Sequence, residues 1–378
     1  MNKRVKVIFP ASMKNVGLLF HFTNLTIELA RVFRNTNYSF LMISEKNEQN
    51  IGLWDKVREN LLDSEYAIFD NYQKFDSVYK KYLGSSHYDH VIILTQGIMQ
   101  FFRCIPYKLK YKNKLILYTR LNSFKHGSVL RRPLTYFLSY IFGIFSDIVN
   151  FQCNYTFSIF VNSKFIINRG KAVTIPLGLS DDCVVEPTDN FLRTIFEPKT
   201  SFKIVYLAQL HKHKNHKQII YNIGGLLRAN PSVKLFFLGR GLEMDSLRLL
   251  VNRLGLSEQI IFLGRVERAL IPWILQRADL AFALSNVETF GHVILEPLYY
   301  NVPVISKDVG IASDIIMDFN NGFIIRHPKL KGLEDIVGHF IHRKYKITNN
   351  GYRQYSWQEI AKSYYNLFDK VILEKSRL

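Results

Sequence analysis

The sequence predicts an α/β protein built from two doubly wound parallel sheets. Short apolar runs alternate with longer helical stretches clearly in the C-terminal half and more loosely in the N-terminal half. The chain has 378 residues, 48% of them hydrophobic and 21% charged, which supplies core material for two domains of ordinary size.

The N-terminal half is predicted from its apolar runs. An amphipathic helix is expected over residues 22–33, and a second one, followed by a strand, over residues 134–150. A break in the apolar periodicity at residues 178–200 predicts the hinge. The predicted strands occupy residues 5–10, 91–94, 114–119 and 157–163.

The C-terminal half shows the alternation more sharply. Its last helix is predicted to follow Trp357 and to run toward the terminus. The predicted strands occupy residues 204–210, 235–241, 260–265, 280–284 and 302–305. The predicted helices occupy residues 217–229, 243–254, 269–277 and 291–300.

Two glutamates, Glu288 and Glu296, flank the start of the helix predicted at Gly291. Glu288 lies in a strand-to-helix loop, at the sheet edge where open parallel sheets bind ligands. The amides of Gly291, His292 and Val293 are expected to point at a phosphate or a sugar hydroxyl. Glu296, on the first turns of the helix, suits a vicinal ribose diol, because a carboxylate accepts two hydroxyl protons at once.

This block resembles the family 4 glycosyltransferases (glycosyl transferases group 1). The likeness rests on Glu288, Phe290-Gly291, Glu296, the segment 302–305 and Gly310, although Asn301 stands where the family usually has glycine. The resemblance implies the GT-B architecture: two Rossmann-like domains facing across a cleft, with a C-terminal helix packing back on the first domain. It also implies sugar transfer with retention of configuration and without an obligatory metal or another cofactor.

The resemblance extends to the expected donor site. Lys214 matches a lysine that holds the donor diphosphate in the family, while Gln209 occupies the position of the family's arginine. Two interpretations stay open for the cluster around Lys214: Lys212 or a histidine supplies the missing donor contact, or the cluster is a solvated loop. The histidines concerned are His211, His213 and His216. Arg240 is predicted beside the donor, and Phe290 contributes through the amides that follow it. Gly17 is either an active-site glycine before the first helix or an ordinary loop glycine.

Arg120 and His126 are two candidates for one further role. Family members often carry a histidine near the transferred sugar, after the strand that ends here at Thr119. Arg120 stands in that place and His126 follows six residues later in a basic loop. Either of them lines the site, or both are surface charge.

The resemblance also assigns roles to three parts of the chain. Residues 1–180 are expected to bind the acceptor, residues 181–355 to bind the nucleotide sugar, and residues 356–378 to return to the first domain.

The net charge of +19 is concentrated in one segment. Residues 101–171 hold 12 Lys or Arg and a single acid, Asp147, with aromatic and aliphatic residues between the cations. Such a surface suits the headgroups of an anionic bilayer, although it also attracts nucleic acid. We expect lipid and no nucleic acid, because the chain has no recognised nucleic-acid motif. The predicted membrane-facing cations are Lys108, Lys110, Lys112, Lys125, Arg131 and Arg132.

Composition also indicates the cellular compartment and argues against metal and redox sites. Cys104, Cys153 and Cys183 show no metal or redox spacing and fit a reducing cytoplasm. His211, His213 and His216 have no thiolate or carboxylate near them in the sequence, so we predict no metal site. The N-terminal apolar run is too short for a signal peptide, and no uninterrupted span of about 20 apolar residues occurs. We therefore expect a cytoplasmic protein attached to the cytoplasmic face of the inner membrane.

The sequence thus predicts a retaining glycosyltransferase that uses a nucleotide sugar, with a UDP-linked donor favoured over a GDP-linked one. The expected acceptor is a lipid-linked saccharide of a bacterial O antigen, lipopolysaccharide or capsule. Two alternatives stay open: a sugar-nucleotide epimerase of the same fold, which needs no acceptor, and a non-catalytic protein that binds a membrane or nucleic acid.

Overall fold

The protein is described from a computed structural model, and the chain divides into two compact units. Unit 1 comprises Met1–Ser180 with Gln354–Leu378, and unit 2 comprises Asp181–Arg353. The structure describes residues 3–11, 16–34, 36–45, 51–69, 74–95, 98–120, 140–162, 169–179, 184–188, 190–196, 201–343, 347 and 351–375.

Unit 1 is a seven-stranded parallel sheet in the order β3-β2-β1-β4-β5-β6-β7. Its strands are β1 (Val5–Ala11), β2 (Tyr38–Glu45), β3 (Tyr66–Phe69), β4 (His90–Thr95), β5 (Leu115–Arg120), β6 (Ile148–Phe151) and β7 (Ala172–Thr174). Its helices are α1 (Val16–Phe33), α2 (Ile51–Asn60), α3 (Phe75–Gly84), α4 (Ile98–Lys110) and α5 (Asn154–Asn162), and residues 140–145 are also helical.

Unit 2 is a six-stranded parallel sheet in the order β10-β9-β8-β11-β12-β13. Its strands are β8 (Phe202–Leu207), β9 (Val233–Leu238), β10 (Ile260–Gly264), β11 (Leu280–Ala283), β12 (Val304–Lys307) and β13 (Gly322–Ile325). Its helices are α6 (Asn190–Phe196), α7 (His216–Ala229), α8 (Met244–Arg253), α9 (Ile271–Leu275), α10 (His292–Tyr299), α11 (Ala312–Ile315) and α12 (Leu333–His342).

Both sheets are doubly wound. The strand order reverses between β1 and β4 in unit 1 and between β8 and β11 in unit 2. Because parallel crossovers are right-handed, the helices that connect strands on one side of this reversal cover one face of the sheet, and those on the other side cover the opposite face. The central strands are therefore covered on both faces, and β4, β6 and β11 are buried along their whole length.

The last helix, α13 (Trp357–Lys375), belongs to unit 1. The Tyr118 hydroxyl on β5 donates a hydrogen bond of 3.0 Å to the Tyr364 hydroxyl on α13. The ring of Phe368 lies 6.3 Å from that of Phe33 on α1 and 5.8 Å from that of Tyr118. The predicted return of the C-terminal helix to the first domain is confirmed.

Two predictions for unit 1 are wrong. Residues 157–163, predicted as a strand, fall largely on helix α5, and β6 is the strand that pairs between β5 and β7. A short apolar run has the same composition in a buried helix and a buried strand, so periodicity could not separate them. The first helix begins at Val16, six residues before the predicted start, so Gly17 lies in its first turn instead of in a preceding loop.

Candidate donor site and a basic helical surface

The predicted donor residues of unit 2 lie in loops that follow parallel strands. Lys214 comes from the loop after β8, and Glu288 from the loop after β11. These two strands are neighbours at the point where the strand order reverses. Their carboxyl ends leave a crevice there, which is where open α/β sheets bind ligands.

Lys214 and Glu288 form an ion pair at this crevice. The Lys214 Nζ lies 2.5 Å from Glu288 Oε1, and each side chain is 17% exposed. A lysine and a carboxylate this close together present both signs of charge to an incoming ligand. The cation suits a phosphate, and the carboxylate suits sugar hydroxyls.

Asn215 fixes the loop that carries Lys214. Its backbone is left-handed, with φ of 62°, and its side-chain amide donates to the Leu284 carbonyl at 2.7 Å and to Asn286 Oδ1 at 2.8 Å. The Tyr206 hydroxyl donates to the Lys214 carbonyl at 2.9 Å. The loops after β8 and β11 are thereby joined, so Lys214 is held beside Glu288 by backbone as well as by charge.

The start of helix α10 lies against Glu288. Gly291 caps this helix with φ of 93°, and a Cβ built on it would lie 3.8 Å from the Glu288 Cβ. The Phe290 side chain is buried, and Val293 packs against the core of the unit, so these two can serve a donor only through their backbone. His292 is half-buried, and its ring lies 5.1 Å from that of Phe290.

Glu296 lies one turn further along α10 and is paired with Arg268. Both guanidinium branches of Arg268 donate to the carboxylate: Nη1 to Oε2 at 2.8 Å, and Nη2 to Oε1. The Glu296 side chain is only 7% exposed. Arg268 was not among the residues predicted from the sequence, although the cations that follow the third predicted strand of unit 2 were a visible signal.

A cavity of about 730 Å³ opens beside this pair. It lies at the carboxyl ends of β8, β9 and β10, and three arginines give it a positive wall. Its lining residues are Leu207, Leu238, Gly239, Arg240, Arg265, Val266, Glu267, Arg268 and Ile271. Predicted Arg240 is therefore in the same cavity as Arg268, which holds Glu296.

Gln209 lies next to Arg240 through a backbone contact. The Leu210 amide donates to the Arg240 carbonyl at 3.1 Å, and both Gln209 and Arg240 are exposed. The position that lacks the family's arginine therefore has a neighbouring arginine on the adjoining loop.

His216 is not part of the donor site. Its ring is fully buried, stacked on Tyr206 at 4.9 Å and edge-on to Phe237. Among the described residues, neither ring nitrogen has a hydrogen-bond partner. Burial, reinforced by the charge of Lys214, lowers the pKa of His216 to about 3. The suggestion that this histidine contacts phosphate is wrong, because its ring lies in the apolar core.

His216 is expected to make the protein acid-sensitive. The pKa of His216 is lowered in the folded state, so below pH 6.5 the unfolded chain binds a proton that the folded protein does not. The stability that the protein has above pH 6.5 is therefore lost progressively as the pH falls toward 3. His216→Phe should flatten the loss of unfolding free energy between pH 6.5 and 5 by up to about 2 kcal/mol in urea titrations. His213→Phe, on the exposed preceding turn, is the matched control. An unchanged acid slope in His216→Phe would contradict the assignment.

The remaining predicted site residues belong to unit 1, not to unit 2. Gly17 and Arg120 belong to unit 1, where Arg120 ends β5, and His126 lies outside the described residues. Within the described ranges, no three His, Cys, Asp or Glu side chains are grouped in a way that could hold a metal ion. The predicted lack of a metal requirement stays a prediction.

One predicted membrane-facing cation is not on an open surface. Lys108 lies 2.5 Å from Asp147 and is 12% exposed, and Lys375 pairs with the same carboxylate at 3.0 Å. Burial lowers the pKa of Lys108 to about 8, although Asp147 favours its charged form. The prediction for Lys108 is wrong, since the single acid of the basic segment is used to bind it. Lys125, Arg131 and Arg132 lie outside the described residues.

Helix α4 nevertheless has a solvent-exposed face that carries both apolar and basic side chains. Phe102, Pro106 and Leu109 are exposed at spacings that put them on one stripe, and Lys110 and Lys112 are exposed beside it. The neighbouring helical residues 140–145 add exposed Tyr140 and Ile144, and their Phe142 ring lies 4.3 Å from Phe101 of α4. We call these residues the α4 surface: Phe102, Pro106, Leu109, Lys110, Lys112, Tyr140 and Ile144. In the described portion of the chain, no helix has the length and hydropathy of a membrane span.

Part of the chain is similar in sequence to known glycosyltransferases. Residues 188–356 match the family described as glycosyl transferases group 1. An uncharacterized glycosyltransferase of Methanocaldococcus jannaschii is 28% identical over 193 residues, which is 49% of each chain. The lipopolysaccharide 1,6-galactosyltransferase of Escherichia coli is 24% identical over 214 residues, 55% of this chain and 56% of that one. The matched region spans about half of those two relatives' lengths.

The fold extends over nearly the whole chain. The crystal structure of Anabaena HepE in complex with UDP and glucose matches with a TM-score of 0.71 at 18% identity, covering 97% of this chain and 99% of that one. The GT-B fold predicted from the sequence is therefore confirmed, and residues 188–356 are similar to the glycosyl transferases group 1 family.

Proposed function

We propose that the protein is a retaining glycosyltransferase that uses a nucleotide sugar, with UDP favoured over GDP. The observation that carries the proposal is the Lys214–Glu288 pair at the strand-order reversal of the region similar to the group 1 family. The neighbour HepE was crystallised with UDP and with UDP-glucose, which supports the choice of UDP.

Each donor contact follows from the chemistry of one residue. Lys214 and the first amides of α10 would hold the diphosphate, because both present positive charge at the crevice. Glu288 would accept hydrogen bonds from the transferred sugar, and Glu296 from the ribose diol. Arg240 lies close enough to the Gln209 loop to supply positive charge where the family's arginine is absent.

The proposed transfer keeps the anomeric configuration. The bond between the sugar C1 and the phosphate oxygen breaks, and the acceptor oxygen bonds C1 on the same face. The acceptor proton passes to the departing phosphate, so no protein nucleophile is required. Lys214 and the helix amides then stabilise the negative charge that develops on the phosphate.

The proposed acceptor is a lipid-linked saccharide of a bacterial O antigen, lipopolysaccharide or capsule. The relative named as a lipopolysaccharide galactosyltransferase supports an envelope acceptor. The α4 surface supports a membrane location, because exposed aromatic and aliphatic side chains beside lysines suit the headgroup region of an anionic bilayer. The proposed location is the cytoplasmic face of the inner membrane.

A nucleotide panel tests the donor. UDP, GDP, ADP and CMP are added to the wild type and to Glu296→Ala, and the midpoint of thermal unfolding is followed. A ligand selective for the folded state raises the apparent stability by about 2.7 kcal/mol at one hundred times its Kd. We expect the largest shift with UDP, reduced in the variant. A well-folded wild type that responds to no nucleotide would contradict the proposal and favour the non-catalytic alternative.

Vesicle binding tests the α4 surface. Leu109→Asp should weaken binding to phosphatidylglycerol vesicles at least about tenfold, because it removes a leucine that would enter the interface and adds a repelled charge. Leu249→Asp is the matched control, since Leu249 in unit 2 is 68% exposed, the same as Leu109. Sedimentation with vesicles measures both variants. Equal losses, or equal wild-type binding to phosphatidylcholine, would remove the membrane assignment.

The requirement for an acceptor separates the proposed activity from epimerisation. A transferase consumes the nucleotide sugar only in proportion to glycosylated acceptor, whereas an epimerase converts the free nucleotide sugar alone. Incubation of a UDP-sugar with and without membrane lipid extract, followed by chromatography of the nucleotide sugars, distinguishes these two reactions.

A further inference from the structure

Arg268 and Glu296 make the most defined charged contact in the proposed donor site. Both terminal nitrogens of the guanidinium reach the carboxylate, one to each oxygen. Arg268 begins the short 3₁₀ turn after β10, whereas Glu296 projects from helix α10. A planar fork that meets both oxygens fixes the position of the carboxylate and the plane in which it lies.

The pair leaves Glu296 able to accept further hydrogen bonds. A carboxylate offers about four lone-pair positions, and the two bonds from Arg268 use one on each oxygen. One acceptor position therefore remains on each oxygen. Two acceptors on adjacent oxygens match the two hydroxyls of a vicinal diol.

Burial makes the partner of this carboxylate important. The Glu296 side chain is 7% exposed, so without Arg268 its charge would be poorly solvated and its oxygens would not be held in one plane. The Arg268 side chain is 40% exposed and lines the arginine-walled cavity, so it can hold Glu296 from the ligand side. A carboxylate already oriented by protein binds a diol without the cost of ordering itself.

We propose that Arg268 is a positioning residue for nucleotide recognition. Its bidentate contact holds the Glu296 carboxylate in one position and one plane, so that the two remaining acceptor positions take the ribose hydroxyls of a nucleoside diphosphate. This inference rests on the proposed function, because it assigns the ribose to Glu296. It adds a residue outside the motif that carries the two glutamates, on a loop from a different strand.

A competing arrangement predicts the opposite change in nucleotide affinity when Arg268 is removed. If Arg268 were only a counter-ion that the ribose displaces, removing it would free Glu296 and tighten nucleotide binding. If Arg268 positions Glu296, removing it weakens binding, and the loss falls on ligands that carry the hydroxyls.

Calorimetric titration with UDP and GDP, each beside its 2′-deoxy counterpart, separates these cases. The wild type should bind the better ribonucleotide about tenfold more tightly than its deoxy form. In Arg268→Ala this ratio should fall to near one, with weaker binding of the ribonucleotide. Arg268→Lys should restore part of the ratio, because lysine provides charge without the bidentate fork.

Arg248→Ala is the matched control, since it removes a positive charge from the same unit on helix α8, where the guanidinium lies 5.9 Å from the Phe262 ring. It should keep the wild-type ratio. Tighter ribonucleotide binding by Arg268→Ala would overturn the inference, as would equal losses for the ribo and deoxy ligands or a wild type that binds both equally. Should Arg268→Ala not fold, the lysine variant carries the test through its reduced ratio. No nucleotide binding by the wild type would instead contradict the proposed function.

Discussion

Glu288→Gln is expected to abolish sugar transfer while leaving nucleotide binding intact or slightly tighter. The substitution keeps the shape of the side chain but removes the negative charge that Lys214 meets at 2.5 Å. Lys214 then has no paired carboxylate at Glu288 and is more available to the donor diphosphate. The sugar loses its charged acceptor, so the transition state loses stabilisation that the bound nucleotide does not need.

Sugar transfer should fall while nucleotide affinity should stay the same or rise, which makes this variant informative. We expect kcat for sugar transfer to fall about 100-fold or more, comparable to loss of one electrostatic contact in an active site. The UDP affinity should stay the same or rise, measured by calorimetry. Lys214→Ala should instead reduce both, because it removes the cation that faces the phosphate.

The control for this pair is Glu258→Gln. Glu258 is exposed and lies two residues before β10, at the end of the strand away from the crevice, so its loss of charge should leave both measurements unchanged. Full transfer activity in Glu288→Gln, assayed with membrane lipid extract as acceptor, would remove Glu288 from the site. Loss of UDP binding in this variant would show that it acts on the nucleotide instead of the sugar.

The sequence predicted unit 2 well because its signals are local. Short apolar runs between helices became the strands, and Gly291 and Glu288 fell in a loop at the carboxyl edge of the sheet, as expected. In unit 1, most of the run at residues 157–163 lies on a helix instead of the predicted strand, because so short an apolar run is compatible with either structure.

Contacts between residues far apart in the chain could not be predicted from the sequence. Nothing in the spacing of Arg268 and Glu296 relates them, since they meet only after β10 and α10 are placed at one sheet edge. Lys108 was predicted on a basic surface because charge counting treats every lysine alike. The fold instead turns it toward Asp147, together with Lys375 from the far end of the chain.

The second large effect is expected at Gly239, where two site loops cross. A Cβ built there would lie 2.1 Å from the Ala208 carbonyl oxygen, and the residue has φ of 152°. The flanking backbone is fully engaged: the Gly239 amide donates to the Gly264 carbonyl at 2.7 Å, and the Ala208 amide donates to the Leu238 carbonyl at 3.0 Å. An alanine therefore cannot be accommodated by moving a side chain.

Gly239→Ala should lower the free energy of unfolding by about 2 kcal/mol or more, because the backbone of one loop must shift and its hydrogen bonds must lengthen. Gly338→Ala, inside helix α12, is the matched control, because its nearest neighbour would be a leucine methyl at 3.9 Å. That control should raise the free energy of unfolding by up to about 1 kcal/mol, since alanine favours the helix. Urea unfolding followed by circular dichroism measures both variants.

The two loops that cross at Gly239 also position cations of the proposed donor site. The loop after β8 leads to Lys214, and the loop after β9 carries Arg240, so a shift of either loop moves a cation of the proposed donor site. We therefore expect Gly239→Ala to lose UDP binding under conditions where circular dichroism still reports a folded protein. If the variant bound UDP like the wild type at equal stability, the close approach of these loops would not be what fixes the site.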